Sequence, residues 1–301
     1  MRKLFFIVLI LSFWKISAKW IDISQDIQNS LFEVVSNREN STEIQFALDG
    51  YESEEINYNG VSYQKISYWN EGEFVEEGKP DLPRFTRLIA IPDNGTVSFS
   101  IENSEFEVVK NIIVYPRQKL QSESQTQERN FVIDEEFYSH GDIFPEKIIQ
   151  VGTPAIMRDF RVVKITVNPF QYNARSKELK IFKDLKINIE YHNDFGENIK
   201  IIHHKKSRMF EQLYRSQILN YDFYASRDED FQQPSYLFIY PYNMTNDPTL
   251  QSLINWKHEK GFLVTAVSTS ETGGTANSIK SYIQNAYNTW ENPPEYICLI
   301  G

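Results

Sequence analysis

Two patterns of apolar and polar positions divide the chain. From about Lys19 to Tyr191, apolar residues alternate with polar ones, as in "TVSFSI" and "LKINIEY". This period of two is typical of strands with one face buried and the other in water. Turn sequences such as Asp49-Gly50 and Asn59-Gly60 separate the alternating stretches. Many short strands joined by such turns predict an antiparallel sandwich or jelly roll.

The pattern changes after Pro234. "SYLFIYP" is a continuous apolar run, which predicts a strand buried on both faces, and "FLVTAVS" and "EYICLIG" repeat it. Asp247-Pro248 is a helix start, with an N-cap and a first-turn proline, and Leu250 and Ile254 then share one helical stripe. "TANSIKSYIQNAYNTW" predicts a second helix. This order predicts the first β-α-β-α-β of a doubly wound parallel α/β sheet with right-handed crossovers.

The stretch between these parts, residues 197–233, is polar and charged. It has room for a short helix near Met209 to Leu219, followed by a loose acidic stretch. Such composition predicts a linker. The β-rich part is therefore expected over residues 19–196 and the start of the α/β part over residues 234–301.

The N-terminus has the features of a secretory signal peptide. Arg2 and Lys3 precede an apolar run from Leu4 to Trp14, and the small residues Ser17-Ala18 follow. The run is shorter than the ~20 residues that span a bilayer, so an uncleaved anchor is the less favoured alternative. We expect residues 1–18 to be removed by cleavage after Ala18. The mature protein is then expected to be secreted or at the cell surface, with no membrane span.

Composition narrows the possible functions. The net charge is −10, and acidic residues are concentrated between Asp22 and Asp81, which argues against nucleic acid as a partner. Apolar residues make up 41% of the chain, enough for a packed core. A single cysteine excludes an internal disulfide framework in an exported protein.

The residues that carry reactive groups do not form a recognisable active site. Cys298 lies in the apolar strand "YICLI", where no polar neighbour activates a thiolate, so core packing is favoured over a nucleophile. His258 suits the C-terminal end of its helix through the helix dipole, and no nucleophile lies near it in sequence. His203-His204 lack metal-ligand spacing.

Neither of the two candidate ligand-binding loops carries a complete motif. "SETGGTANS" lacks the phosphate-binding lysine and the G-x-G-x-x-G pattern, so it predicts a turn with Thr275 as the N-cap of the next helix. The acidic stretch from Asn70 to Arg84 lacks the calcium-loop pattern. No cofactor is therefore predicted, and calcium stays open without a motif to support it.

The chain resembles the gingipain-type cysteine peptidase precursors. In the α/β part, the resemblance rests on "YLFIYP", "LQSLINWKHEKGFLVTAVSTSETGGTANSIKSYIQNAYNTW" and "PPEYICLIG". In the β-rich part it rests on "GKPDLPRFTRLIAIPDNGTVSFSI", "VYPRQ" and "VVKITVNPFQYNARSKELKIFKDLKINIEY". Together these stretches extend the resemblance from about Trp20 to Gly301.

The resemblance implies a secreted bacterial zymogen. Its β-sandwich propeptide assists folding and blocks its own caspase-like peptidase domain, which cleaves protein substrates. In the family the catalytic His and Cys follow further strands, so no catalytic residue is assigned here, and the 301-residue chain is expected to be inactive by itself. The alternative is a stand-alone secreted β-sandwich module that binds or inhibits, with a vestigial α/β tail.

The resemblance also suggests processing and inhibitory residues. Family propeptides are released by cleavage after a basic residue shortly before the peptidase domain, and Arg227 stands at the matching place. Family propeptides also block the substrate cleft, which we expect of an extended loop with a basic residue. The candidates in "YPRQKLQSESQTQERN" are Arg117, Lys119 and Arg129.

Overall fold

The computed structural model describes residues 18–23, 30–120, 130–225 and 229–301. The first part is built almost entirely of strands. It begins with β1 (Lys19–Asp22), β2 (Phe32–Arg38), β3 (Ser41–Ala47), β4 (Gly50–Tyr58), β5 (Val61–Ser67), β6 (Gly72–Glu73), β7 (Pro83–Ile91) and β8 (Thr96–Lys110). It continues with helix α1 (Glu135–Ser139), β9 (Ile143–Phe144), β10 (Ile149–Val151), β11 (Ala155–Met157), β12 (Phe160–Val167), β13 (Phe170–Asn173) and β14 (Glu178–His192).

The second part alternates helices and strands. Helix α2 (Glu211–Gln217) precedes it. The elements that follow are β15 (Ser235–Tyr240), α3 (Pro248–Glu259), β16 (Leu263–Ser268), the single turn α4 (Thr269–Thr272), α5 (Ala276–Thr289) and β17 (Tyr296–Leu299). Single 3₁₀ turns lie at Arg208–Phe210, Tyr221–Phe223 and Tyr242–Met244.

The strands of the first part pair antiparallel, as the alternating pattern predicts. One sheet has the order β2-β3-β14-β13-β9, with β8 also paired to β14. A second has the order β10-β12-β7-β6, with β11 also paired to β12, and a third has the order β1-β4-β5. One apolar cluster joins inward side chains of all three sheets, including Phe46, Ile66, Phe85, Ile165 and Ile187. The sandwich prediction is confirmed.

Residues 208–224, which composition assigns to the linker, are packed. They cover the outer face of the β7–β12 sheet, where Ala90 and Val162 meet Tyr214 and Ile218 in a second apolar cluster. The main chain joins the sheet as well, because Leu219 N donates to Leu88 O at 2.8 Å. The polar composition hides this packing, since only a few apolar side chains of the segment carry it.

Arg161 of β12 is a buried cation that pairs with no carboxylate of the described residues. Its side chain is 1% exposed. The guanidinium donates to four main-chain carbonyls, those of Pro92, Gly95, Glu197 and Asn198, at 2.7–3.1 Å. A Cβ on Gly196 would lie 2.0 Å from Gly95 O and 2.8 Å from Nη2, so the close approach of these two backbone segments needs glycine. Arg161 therefore ties the start of β8 to the segment after β14.

The second part is a parallel sheet in the order β16-β15-β17. Leu250 and Ile254 of α3 pack on one face with Phe238. Helix α5 covers the other face, where Leu237 and Ile239 lie in one cluster with Ile279 and Ile283. Because helices cover both faces and β15 lies between its two neighbours, the doubly wound prediction is confirmed. Within the described part of the chain, no helix is both long and apolar enough to cross a membrane.

Candidate functional site

The predicted processing and inhibitory residues lie in and beside segments that the structure does not describe. Ala18 is exposed directly before β1, whereas Arg129 and Arg227 lie outside the described residues. Lys119 is described and exposed. Arg117 is described and buried. The contacts of Arg117 and of its neighbours therefore describe this part of the chain.

Arg117 is held inside the chain by ion pairs. Its Nη1 donates to Asp81 Oδ1 at 3.1 Å and also to a carboxylate oxygen of Glu73. The side chains of Arg117 and Asp81 are only 11% and 5% exposed. Main-chain bonds add to this, because Arg117 N donates to Lys79 O at 2.7 Å and Gly78 N donates to Arg117 O at 2.9 Å. We call Arg117, Asp81 and Glu73 the ion cluster.

Burial sets the electrostatics of the ion cluster. Burial raises the pKa of the Asp81 carboxyl, and the guanidinium of Arg117 offsets this only in part. Burial by itself lowers the pKa of Arg117, but Asp81 and Glu73 reverse the effect and leave it above its ordinary value. Arg117 therefore remains charged, and its charge is engaged by two carboxylates.

Side-chain hydrogen bonds and ring stacking hold the residues that follow the ion cluster in the chain. The side chain of Gln118 pairs with Val132 as a second strand would, because Nε2 donates to Val132 O at 2.8 Å and Val132 N donates to Oε1 at 2.9 Å. The ring of Phe131 stacks on Tyr58 with 4.0 Å between ring centroids, and it also contacts Tyr63. Residues 118 and 131–132, which we call the loop base, thus fix the two ends of the 119–130 stretch that contains Lys119.

A second polar site lies where the β-rich part meets the α/β part. Arg158 occupies the turn between β11 and β12 at a positive φ of 48°. It donates to Pro294 O at 3.3 Å and to Gln232 Oε1 at 3.2 Å. Its guanidinium also lies over the rings of Phe210 and Tyr287, at 5.0 and 5.6 Å from the ring centroids. We call this site the Arg158 junction.

Buried hydroxyl and amide groups complete the junction. Ser207 N donates to Asp159 Oδ2 at 3.0 Å, and its hydroxyl donates to a carboxylate oxygen of Glu295. Gln232 Nε2 and Ser235 Oγ both donate to Pro293 O, at 3.1 and 2.7 Å. Ser207, Gln232 and Ser235 are all buried. Each of these three side chains finds a partner, so hydrogen bonds of buried polar groups join the two parts.

Ion pairs surround the undescribed residues 226–228. Lys206 Nζ lies 2.7 Å from Glu229 Oε2, and Lys205 Nζ lies 2.8 Å from Asp230 Oδ2. Tyr224 O accepts a hydrogen bond from Lys206 Nζ at 2.9 Å. Lys206 thus contacts residues on both sides of the gap that contains Arg227.

Cys298, His258 and Thr275, which the sequence analysis considered, have contacts that stabilise the fold or are exposed. Cys298 is half-buried in β17 and packs in the apolar cluster of Phe238. His258 lies exposed in the last turn of α3. Thr275 caps α5, as predicted, in a reciprocal pair with Ser278.

No metal cluster is seen where the structure describes the chain, since it brings no three His, Cys, Asp or Glu side chains together. The acidic stretch from Asn70 to Arg84 is used in ion pairs instead. Glu73 and Asp81 bind Arg117, and Glu71 binds Arg87.

Sequence reasoning missed the residues of the Arg158 junction. Arg158 stands in a short turn, and its partners at Gln232 and Pro294 are 74 and 136 positions away. No local spacing marks such a contact. The positive φ of Arg158 distinguishes this residue, but a φ angle is a property of the folded chain and is not visible in the sequence.

The fold and the junction define a class of protein: a β-sandwich domain docked on the start of a doubly wound α/β domain. Residues 26–227 match the family described as Propeptide_C25, and residues 229–301 match peptidase family C25. The chain belongs to the C25 family of gingipain-type precursors, as a propeptide followed by the start of the peptidase domain.

Curated relatives agree with this family. Gingipain R2 of Porphyromonas gingivalis (strain W83) is 24% identical over 286 residues, which cover 91% of this chain and 38% of the relative. Gingipain R1 of P. gingivalis is 25% identical over 273 residues, covering 88% of this chain and 27% of the relative. Lys-gingipain of P. gingivalis (strain ATCC 33277) is 24% identical, covering 85% and 15%. The chain thus spans well under half the length of these relatives.

Two solved structures share the fold. One is the complex of the pro- and mature domains of RgpB from P. gingivalis, with a TM-score of 0.58 and 22% identity over 65% of this chain and 98% of that chain. The other concerns the zymogenic latency of gingipain K from P. gingivalis, with a TM-score of 0.51 and 20% identity over 59% and 100%. At these identities the likeness shows the fold.

Proposed function

We propose that the chain is the N-terminal part of a secreted gingipain-like cysteine endopeptidase zymogen. Its propeptide assists folding of the peptidase domain and keeps that domain latent, and protein substrates are cleaved after release. The observation that carries the proposal is the Arg158 junction, where the propeptide side chains of Arg158 and Ser207 bind residues 232–235 and 293–295 of the peptidase part. These contacts lie directly before β15 and β17, the first and third strands of the peptidase part, which supports a role of the propeptide in guiding the folding of that sheet.

The test compares two proteins. The 301-residue chain is assayed for hydrolysis of peptide substrates beside a precursor that continues the reading frame through the whole peptidase domain. We expect activity only from the longer precursor, and only after the propeptide is cleaved and removed. Hydrolysis by the 301-residue chain, or full activity of an uncleaved precursor, would contradict the proposal.

Processing follows from the same proposal. The signal peptide is removed after Ala18, and the propeptide is cleaved after Arg227. Lys205 pairs with Asp230, and Lys206 pairs with Glu229. Because each pair joins a residue before Arg227 to a residue after it, these pairs support a linker whose two ends stay close to each other after cleavage. N-terminal sequencing should then find Lys19 on the exported precursor and Asp228 on the mature enzyme. Different first residues would refute these sites, and Arg227→Gln should abolish the second cut.

Inhibition is assigned to the stretch that contains Arg117, Lys119 and Arg129. The exposure of Lys119 beside the loop base supports Lys119 as a cleft-blocking residue. The ion cluster makes Arg117 the weaker candidate, because binding in a cleft would require it to leave Asp81 and Glu73. Alanine variants of each residue in the longer precursor, with residual activity before processing as the readout, rank the three. Unchanged latency in all three would exclude this stretch.

The alternative function is a stand-alone secreted binding or inhibitory module. Reading the gene beyond codon 301 separates it from the zymogen. A continuing frame with a catalytic His and Cys supports the enzyme, whereas a stop codon supports the module.

A further inference from the structure

His204 lies at the contact between the propeptide and helix α5. Its ring meets the ring of Tyr287 edge-on, with 5.4 Å between centroids and 75° between planes. Its Nε2 atom is buried and makes no hydrogen bond of normal geometry to any residue that the structure describes. An uncharged imidazole tolerates such a position, but a charged one lacks the solvation that it needs. The site therefore favours the neutral ring.

The groups around His204 oppose a positive charge on balance. The turn before β12 brings the cation of Arg158 and the carboxylate of Asp159, α5 brings Tyr287, and the segment of His204 itself brings Lys200. Asp159 is largely engaged, because its Oδ2 accepts from Ser207 N at 3.0 Å and from the Tyr214 hydroxyl at 2.9 Å.

The same region includes a cleft that His204 shares with Asp93, His203, Lys205, Lys206 and Glu229. The charges near His204 are paired, and Lys205 pairs with Asp230. Lys206 pairs with Glu229, and His203 Nδ1 lies 3.3 Å from Asp93 Oδ2. Little free negative charge is left to receive a protonated His204.

We propose that His204 makes the docking of the propeptide on α5 dependent on pH, with the contact tight when the ring is neutral and loosened when the ring takes up a proton. This inference rests on the proposed function, because it adds a trigger for the release of the propeptide. Acidification is that trigger, and a charged His204 disturbs the contacts with Tyr287 and Arg158.

The direction of the pH dependence follows from the sign of the pKa shift. Burial lowers the pKa of His204, the backbone of Tyr287 raises it in part, and Arg158 lowers it further. The docked state therefore binds fewer protons than the undocked state. Its stability is complete above the pKa of a free histidine, about 6.5, and is lost as the pH falls below that value.

The experiment uses the full 301-residue chain and amide hydrogen exchange of residues 276–289, corrected for the intrinsic effect of pH, at pH 7.5 and 5.5. We expect the protection of α5 to fall several-fold at pH 5.5 in the unchanged chain. His204→Gln cannot be protonated and should remove this dependence, whereas the matched control His203→Gln should retain it. His203 is a suitable control because its side chain is 62% exposed.

Two results would overturn the inference. One is equal protection of α5 at both pH values in the unchanged chain, and the other is the same pH dependence in His204→Gln. Should His204→Gln fail to fold, an NMR titration of His204 in the unchanged chain decides, since a midpoint at or above that of free histidine excludes the mechanism. These readouts do not involve peptidase activity, so their failure leaves the zymogen proposal to its own test.

Discussion

Removal of Arg117 is predicted to destabilise the β-rich part strongly. Arg117→Ala leaves the carboxylate of Asp81, with a side chain that is 5% exposed, without its cation. Loss of one partner of a buried ion pair costs about 3–5 kcal/mol, because the remaining charge stays out of water. The loss of the Glu73 ion pair adds little to this cost, because the Glu73 side chain is 32% exposed and is hydrated once Arg117 is removed. We therefore expect a loss of about 3 kcal/mol in the free energy of unfolding at pH 7.5.

Urea denaturation of the 301-residue chain, followed by circular dichroism, measures this loss. With a slope of about 1–3 kcal/mol per molar urea, a loss of 3 kcal/mol lowers the midpoint by about 1–3 M. Lys119→Ala is the matched control, because this exposed neighbour should change the free energy of unfolding by less than about 0.5 kcal/mol. Equal midpoints for the two variants would refute the structural role of the ion cluster.

The pH dependence gives a second check on the same variant. Without Arg117, the pKa of Asp81 should rise beyond its already raised value. The folded variant then gains stability, relative to the unchanged chain, as the pH falls through that pKa and the carboxyl becomes neutral. The loss caused by Arg117→Ala should therefore be smaller at pH 5 than at pH 7.5. A loss that grows on acidification would show that Asp81 is not the residue left unpaired.

Three further outcomes are expected from single substitutions. Arg158→Ala removes two hydrogen bonds across the junction, so the amides of α5 should exchange about 5- to 100-fold faster, with the exposed Arg175→Ala as control; equal rates would contradict this role. Asn220→Ala leaves the buried Ala90 N–H of β7 without the Asn220 acceptor, while Ala90 O keeps the Tyr224 hydroxyl as a donor at 3.5 Å, and it should cost about 1–3 kcal/mol in urea unfolding, whereas the exposed Asn193→Ala should not. Asp247→Ala removes the N-cap of α3 and should cost about 1 kcal/mol; an unchanged stability would show that the cap bond to Leu250 N is not needed.

The elements of the α/β part were predictable because their signals are local. Asp247-Pro248 marks the start of α3, and the Asp247 carboxylate accepts from Leu250 N as an N-cap does. The continuous apolar run before it becomes β15, whose side chains face helices on both sides. Propensity, capping and burial agree at each of these positions, so the sequence alone was sufficient.

The polar sites were not predictable because their partners are distant in sequence. Arg117 looks like an exposed basic residue of a polar loop, and only the fold brings it to Glu73 and Asp81, 44 and 36 positions earlier. Arg158, which lies in the turn between β11 and β12, also has its partners far away in sequence. Apolar periodicity reports which face of a strand is buried, but it says nothing about which charges meet across the chain.

The buried Arg161 has a consequence for how this protein tolerates sequence change. All four of its acceptors are carbonyls of the main chain, and every amino acid supplies that atom. The side chains at Pro92 and Glu197 can therefore vary without loss of these hydrogen bonds. Gly95 and Gly196 cannot, because a Cβ on Gly95 would lie 2.1 Å from His192 O and a Cβ on Gly196 would lie 2.0 Å from Gly95 O. Arg161 has no such freedom, because the compact ammonium of a lysine cannot reach carbonyls on both segments, whereas the planar guanidinium donates to residues 92 and 95 and to residues 197 and 198 at once. In a comparison of distant relatives, we expect position 161 to stay arginine and position 95 to stay glycine, while the residues at positions 92 and 197 vary.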